Sequence, residues 1–223
     1  FVDEIIIILD RSTDNTKIKS KKYTNKIYEG SWKCEGKRRN YGLSKCKSEW
    51  ILEIDADEVV SNPLADEIED KIKDSNVDFF YIPLINYVGK LKICNGWMSC
   101  MAPDGKFCLF KRNCKSWSDG SVHPNYNLTG NKGVKFSNSL DHFMSKDISD
   151  LLIRFNRNTS LYAQDLKMKR KDLTKLFSKR KIFSRFFKSY FSRTGFKSGE
   201  IGILIAALCS IYPYVSAIKS KQN

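Results

Sequence analysis

The feature that most constrains this chain is an apolar run that stops on a carboxylate. Ile5, Ile6, Ile7, Ile8 and Leu9 are followed at once by Asp10. A short β-branched run without polar alternation is that of a buried parallel strand. Ser12, Thr13, Asp14 and Asn15 then supply turn and N-cap chemistry for a helix reaching residue 22. The pattern repeats at 50–54, Trp-Ile-Leu-Glu-Ile, which ends on Asp55, Asp57 and Glu58. Asn62-Pro63 opens an amphipathic helix over 64–73, with Leu64, Ile68 and Ile72 four residues apart. Residues 79–84 and 107–111 read as further strands. Strands alternating with helices imply an α/β domain with a largely parallel sheet, in which ligands sit beyond the carboxyl ends of the strands. Asp10 and Asp55 both fall there.

The pattern changes near residue 145. A helical segment covers 148–165, a basic Phe-rich stretch follows, and residues 201–218 carry no charge between Glu200 and Lys219. The expected organisation is a catalytic domain over 1–145 and a helical, basic region over 146–223. The net charge of +14 is concentrated, with twelve Lys or Arg against two Asp from Asp165 to Lys197. Such a surface suits nucleic acid, an anionic membrane or phosphorylated substrates. Phenylalanines interleaved with the cations could stack on single-stranded nucleic acid or form the face of an interfacial helix. The adjacent uncharged segment favours the membrane, so no nucleic acid is expected as a partner. Eighteen residues is the lower limit for a span, and Gly202 and Pro213 weaken it. The segment is therefore expected as a buried or re-entrant helix against the bilayer. Seven cysteines, with no C-x-x-C pair, read as reduced thiols in a cytosolic compartment. No signal peptide is visible.

Two carboxylates one residue apart at a strand end, Asp55 and Asp57, point the same way if the backbone stays extended. That arrangement suits a hard divalent cation, which takes one or two carboxylates plus substrate phosphates. The alternative is that they cap the next helix. Context decides between these. Asp3-Glu4 leading through the isoleucine run to Asp10-Arg11-Ser12-Thr13-Asp14, then Gly36-Lys37-Arg38-Arg39-Asn40, then Trp50 through Asp55-Ala56-Asp57-Glu58, resembles glycosyltransferase family 2. The subgroup it is most similar to extends the lipopolysaccharide inner core with β-glucose.

The resemblance implies a GT-A-like fold, Rossmann-related, with a mixed, mostly parallel sheet flanked by helices and a helical C-terminal extension. It implies a hexose transferred, with inversion, from a nucleotide sugar (a UDP-hexose) to a lipopolysaccharide-core or lipid-linked acceptor at the inner face of the cytoplasmic membrane. Asp10, Asp14, Arg39, Asn40 and Asp55 would bind the nucleotide sugar. Asp57 would hold Mg²⁺ or Mn²⁺, and His142 would complete that metal site or orient the acceptor. Inversion needs one base for the acceptor hydroxyl. Where the subgroup has Val-His-Glu, this chain has Val122-His123-Pro124, leaving Asp119, His123 and Asp104 as substitutes. Family members also begin with a strand and helix ahead of the Asp3-Glu4 equivalent. Their absence here implies an exposed apolar sheet edge, in either a fragment of a longer protein or a degenerate copy.

Overall fold

A computed structural model describes residues 1–74, 76–119, 124–168 and 172–222. In chain order the elements are β1 (Ile7–Asp10), α1 (Thr16–Ser20), β2 (Ile27–Gly30), α2 (Glu35–Lys45), β3 (Trp50–Leu52), β4 (Glu58–Val59) and α3 (Asn62–Lys71). There follow β5 (Phe79–Val88), β6 (Leu91–Ile93), β7 (Gly105–Lys111), β8 (Lys115–Trp117), β9 (Tyr126–Leu128) and β10 (Leu140–Ser145). The chain closes with α4 (Ile148–Met168), α5 (Lys179–Phe187), a π-helical turn over Lys188–Ser192 and α6 (Gly199–Gln222).

The fold is mixed α/β, as expected, with a helical C-terminal part. The balance of strand directions differs from expectation. β1–β2 and β5–β10 pair in parallel, whereas β3–β7, β4–β10, β5–β6 and β8–β9 are antiparallel. The sheets are therefore mixed rather than mostly parallel. One of these pairs has a local cause: β5 turns straight into β6 through Gly89 at φ 58, and a tight hairpin can only return antiparallel.

The chain separates into two compact units whose segments interleave in sequence. The first comprises Phe1–Ile54, Asn62–Ile82 and Phe107–Asn138. Its core gathers Leu9, Ile51, Leu64, Ile68, Phe80, Leu109, Phe110 and Phe136. Phe80 meets Phe136 edge-on at 5.4 Å and lies 5.6 Å from Trp50. Burying each such side chain contributes about 1.5–3 kcal/mol. β1 is less buried than its isoleucines suggest: only Leu9 is fully covered, and Ile5 is 40% exposed. Among the described residues β1 has β2 as its one hydrogen-bonded neighbour. Near its start, Val2 and Ile6 line a groove of about 190 Å³ with Trp50, Ile51 and Ile72.

The second unit comprises Asp55–Ser61, Pro83–Lys106 and Ser139–Asn223, so the boundary expected after residue 145 falls inside it. Its strands run in the order β6–β5–β10–β4. Val88, Ile93, Trp97, Met144, Leu151, Ile205, Leu208 and Cys209 form one apolar cluster joining sheet and helices. α6 belongs to this packing. Residues 195–222 are long and apolar enough to cross a membrane, yet 56% of their most apolar window is buried within the fold. Small residues on α6, Gly202, Ala206, Cys209 and Ser216, are all buried, and Tyr212 donates to the Asn158 carbonyl of α4 at 3.1 Å. The hydroxyls of Ser210, Ser216 and Ser220 return to carbonyls three or four residues back, which satisfies them in apolar surroundings. All seven thiols are free.

Candidate functional site

In the first unit, the turn after β1 holds Asp10, whose side chain is only 13% exposed. Arg11 follows in the left-handed region at φ 54, which turns its guanidinium back onto both Asp10 oxygens at 2.9 and 3.2 Å. The Trp32 amide adds a 3.4 Å contact. Asp14 accepts the Thr16 amide at 3.1 Å, an Asx-type turn leading into α1. The Thr16 side chain and amide hold its carboxyl below the ordinary carboxylate range.

Arg39 and Asn40, on α2, are both committed to the scaffold. Arg39 donates to Glu35 at 2.7 Å and to Glu53 at 2.9 Å, and its guanidinium lies 4.8 Å over the Trp117 ring. Glu53 also receives Lys115 at 2.7 Å, an ammonium only 3% exposed whose affinity for its proton is pulled down by burial against the opposing pull of Glu53. Asn40 clamps β8 from both sides: its Nδ2 donates to the Trp117 carbonyl and its Oδ1 accepts the Trp117 amide, each at 2.8 Å. α2 can come this close because residue 36 is glycine; a Cβ there would lie 1.9 Å from the Ser118 carbonyl oxygen. Asp119 is 71% exposed and pairs with Lys37 at 3.6 Å. His123 lies outside the described residues.

In the second unit, Asp55 and Asp57 do not lie on one extended strand. Ala56 and Asp57 form a turn, closed by the Glu58 amide donating to the Asp55 carbonyl at 3.0 Å, because the buried Glu58 carboxylate also accepts the Asp55 amide at 2.7 Å. The two carboxylates consequently take different partners. Asp55 pairs with Lys106 at 3.3 Å, and Lys106 also binds Glu58. Asp57 faces His142 and Arg154.

β10 is the element that builds this second arrangement. It lies between β5 and β4, with His142 in register with Asn86 on one side and Glu58 on the other. The Phe143 amide donates to the Asp57 carbonyl at 2.8 Å, tying the turn to the strand. His142 Nε2 then sits 3.6 Å from Asp57 Oδ2, and Arg154 of α4 reaches the same oxygen at 3.5 Å while pairing with Asp150 at 3.4 Å. As a donor, with a proton on Nε2, the His142 ring holds the Asp57 carboxyl below its usual range; burial opposes this and Arg154 reinforces it.

Asn86 decides which ring nitrogen of His142 carries a proton. Its Nδ2 donates to the Pro103 carbonyl at 3.1 Å, which fixes the amide and leaves Oδ1 against His142 Nδ1 at 2.6 Å. An amide oxygen only accepts, so Nδ1 is the N–H nitrogen and Nε2 bears the lone pair in the neutral ring. The Nε2 lone pair and the Asp57 carboxylate repel at 3.6 Å; Arg154, 3.5 Å from the same oxygen, offsets this, and a proton on Nε2 or a metal ion would relieve it further. The donors, one carboxylate and one imidazole held by a second residue, are of a type that divalent cations take. Among the described residues no group of three or more His, Cys, Asp or Glu side chains is placed to hold a metal alone.

Asn86 also lines a cleft of about 420 Å³ with Asn95, Trp97, Asp104, Ser139 and Arg193, where Arg193 meets Asp104 at 3.4 Å. Asn86 carries a signal in the sequence. Phe80, Ile82, Leu84, Asn86 and Val88 occupy the buried phase of β5, and one amide among four apolar side chains marks a position with a polar partner. Arg154 and Lys106 carry no such signal, since their partners lie 97 and 48–51 residues away.

Comparison with known proteins agrees with the motifs. An uncharacterized glycosyltransferase of Rickettsia felis is 25% identical over 236 residues, covering all of this chain and 81% of that protein. One from Rickettsia prowazekii is 27% identical over 228 residues, covering 99% of this chain and 78% of its own length. The crystal structure of S. aureus TarS overlaps 98% of this chain at 13% identity with a TM-score of 0.42, and the chain spans about half of the TarS chain's length. Residues 2–94 match the family described as Glycosyl transferase family 2. Asp10, Arg39, Asn40, Asp55 and Asp57 all lie inside the stretch that matches this family.

Proposed function

We propose that the chain is an inverting, metal-dependent hexosyltransferase. It takes a hexose from a nucleotide sugar, a UDP-hexose, and passes it to a lipid-linked or lipopolysaccharide-core acceptor at the cytoplasmic face of a membrane. Asp57 and His142 hold the cation; an imidazole nitrogen beside a carboxylate suits Mn²⁺ better than the all-oxygen preference of Mg²⁺. When bound, that cation would neutralise charge on the departing diphosphate. Asp10, Asp14, Arg39, Asn40 and Asp55 belong to the nucleotide-sugar side. The acceptor hydroxyl passes its proton to a single base, Asp119 or His123, as its oxygen attacks the anomeric carbon and the nucleoside diphosphate leaves.

The observation supporting this reading is the ring of His142, turned by Asn86 so that its lone pair meets the Asp57 carboxylate. The test is release of UDP from UDP-hexoses by purified protein with Mn²⁺ and a membrane-extracted acceptor. Turnover should require the ion and disappear in Asp57→Ala; undiminished turnover in that variant would dismiss the assignment.

A second reading, a family relative that keeps the fold without turnover, is favoured by one specific observation. Asp10 and Asp55 are already paired with Arg11 and Lys106, and Pro124 stands where the subgroup has a carboxylate. Calorimetric titration with UDP and Mn²⁺ separates the two, because the transferase binds at micromolar concentration and the relict does not.

A further inference from the structure

α5 and its π-helical continuation present two apolar stripes, and the fold uses only one. Inward, Ile182, Phe186 and Tyr190 are half-buried, with Phe186 and Tyr190 stacked at 5.7 Å. Ser189 is fully buried and donates to the Gly96 carbonyl at 2.5 Å, and Arg193 donates to the Trp97 carbonyl at 2.8 Å. Outward, Phe183, Phe187 and Phe191 recur every fourth residue and are 66%, 56% and 52% exposed. Phe187 and Phe191 stack on each other at 5.3 Å, and Phe196 is exposed beyond them. A helix already anchored by its inner stripe gains nothing for folding from a second, solvated one.

The charges around this ridge name its occupant. Residues 173–199 contain eight Lys or Arg and no Asp or Glu. Lys179, Arg180, Lys181, Lys188 and Lys197 are all exposed. Bulky aromatics flanked by long basic side chains match the boundary between acyl chains and anionic headgroups, where rings enter the apolar layer and cations reach the phosphates. A protein partner would need an acidic rim as well as an apolar groove; an anionic bilayer offers both over any area.

We propose that this ridge seats the protein on an anionic phospholipid bilayer as an interfacial helix, with Phe183, Phe187 and Phe191 in the headgroup–acyl boundary. α6 then serves as the packed helix behind the ridge and does not span. The inference goes beyond the transferase reading, and its test measures partitioning rather than turnover.

The full chain is sedimented with vesicles of phosphatidylcholine alone or mixed with phosphatidylglycerol. The wild type should bind the mixed vesicles at least tenfold more tightly, and salt should weaken the binding. Phe183→Ser/Phe187→Ser/Phe191→Ser should lose at least tenfold while melting at the wild-type temperature, and Lys179→Glu/Lys181→Glu/Lys188→Glu should lose as much. Hydroxyl-radical footprinting of the wild type keeps the test open if a variant fails to fold: vesicles should protect the three ridge phenylalanines. Equal binding by the serine variant would overturn the proposal. So would unprotected ridge rings, resistance to alkaline carbonate extraction, or a lipid-free dimer abolished by the serine substitutions.

Discussion

The candidate residues of the two units differ in what their side chains are left to do. In the first, Asp10 is neutralised by Arg11, Arg39 is divided between Glu35 and Glu53, and Asn40 spends both amide groups on Trp117. In the second, Asp57 is shared more loosely between Arg154 at 3.5 Å and His142 at 3.6 Å, with the ring fixed from behind by Asn86. The candidate residues thus differ in how tightly the fold engages their side chains.

Substitutions sharpen that contrast, beginning with the largest effect. Asp57→Ala should lower UDP release by about 10²–10³-fold, the scale of losing one electrostatic contact to developing charge, with the melting temperature little changed. Next comes Asn86→Leu, which keeps the side chain's branched shape but frees Nδ1. It should weaken Mn²⁺ binding about 10–100-fold, the usual cost of losing a ligand's outer partner. Isothermal titration with Mn²⁺ and UDP reads this without turnover.

The first unit should respond in stability instead. Gly36→Ala pushes a Cβ against the Ser118 carbonyl and should cost about 1–3 kcal/mol in denaturant unfolding, as overpacking does. A smaller effect should follow Glu67→Gln. Burial raises the Glu67 carboxyl, but the Ser137 and Asn138 amides and the Asn138 side chain, at 2.8–2.9 Å, more than offset this and leave it lowered. A lowered carboxylate gives stability that is present above its unfolded value of 4.5 and lost as pH falls through the folded value. Glu67→Gln should therefore cost about 1–2 kcal/mol at neutral pH, and the difference from wild type should shrink on acidification below pH 4.5.

Legibility in the sequence followed apolar patterning: β1 and β3 are short but readable from their apolar runs, whereas α2, eleven residues with only Gly36 buried, is not. α3, α4 and α6 and the strands β5 and β7 were readable from apolar runs and periodicity, because each repeats its signal over several residues. β4, β6, β8 and β9 have two or three residues each, too few to carry a period. The doublet at Asp55 and Asp57 was visible, but the turn that separates their partners was not. It depends on Glu58 being buried under Lys106, a contact across 48 residues. The proximity of His142 to Asp57, 85 residues earlier, is not readable from spacing. Asn86, the lone amide on the buried face of β5, could have been read from alternation alone.

The central claim is that Asp57 and His142 share one cation. Pulsed electron paramagnetic resonance of Mn²⁺ bound with UDP to the purified protein tests it most directly. The account predicts a nitrogen coupling from a coordinated imidazole, absent in His142→Ala and weakened in Asn86→Leu. Mn²⁺ bound tightly with no nitrogen coupling in the wild type, or with coupling unchanged in His142→Ala, would contradict it.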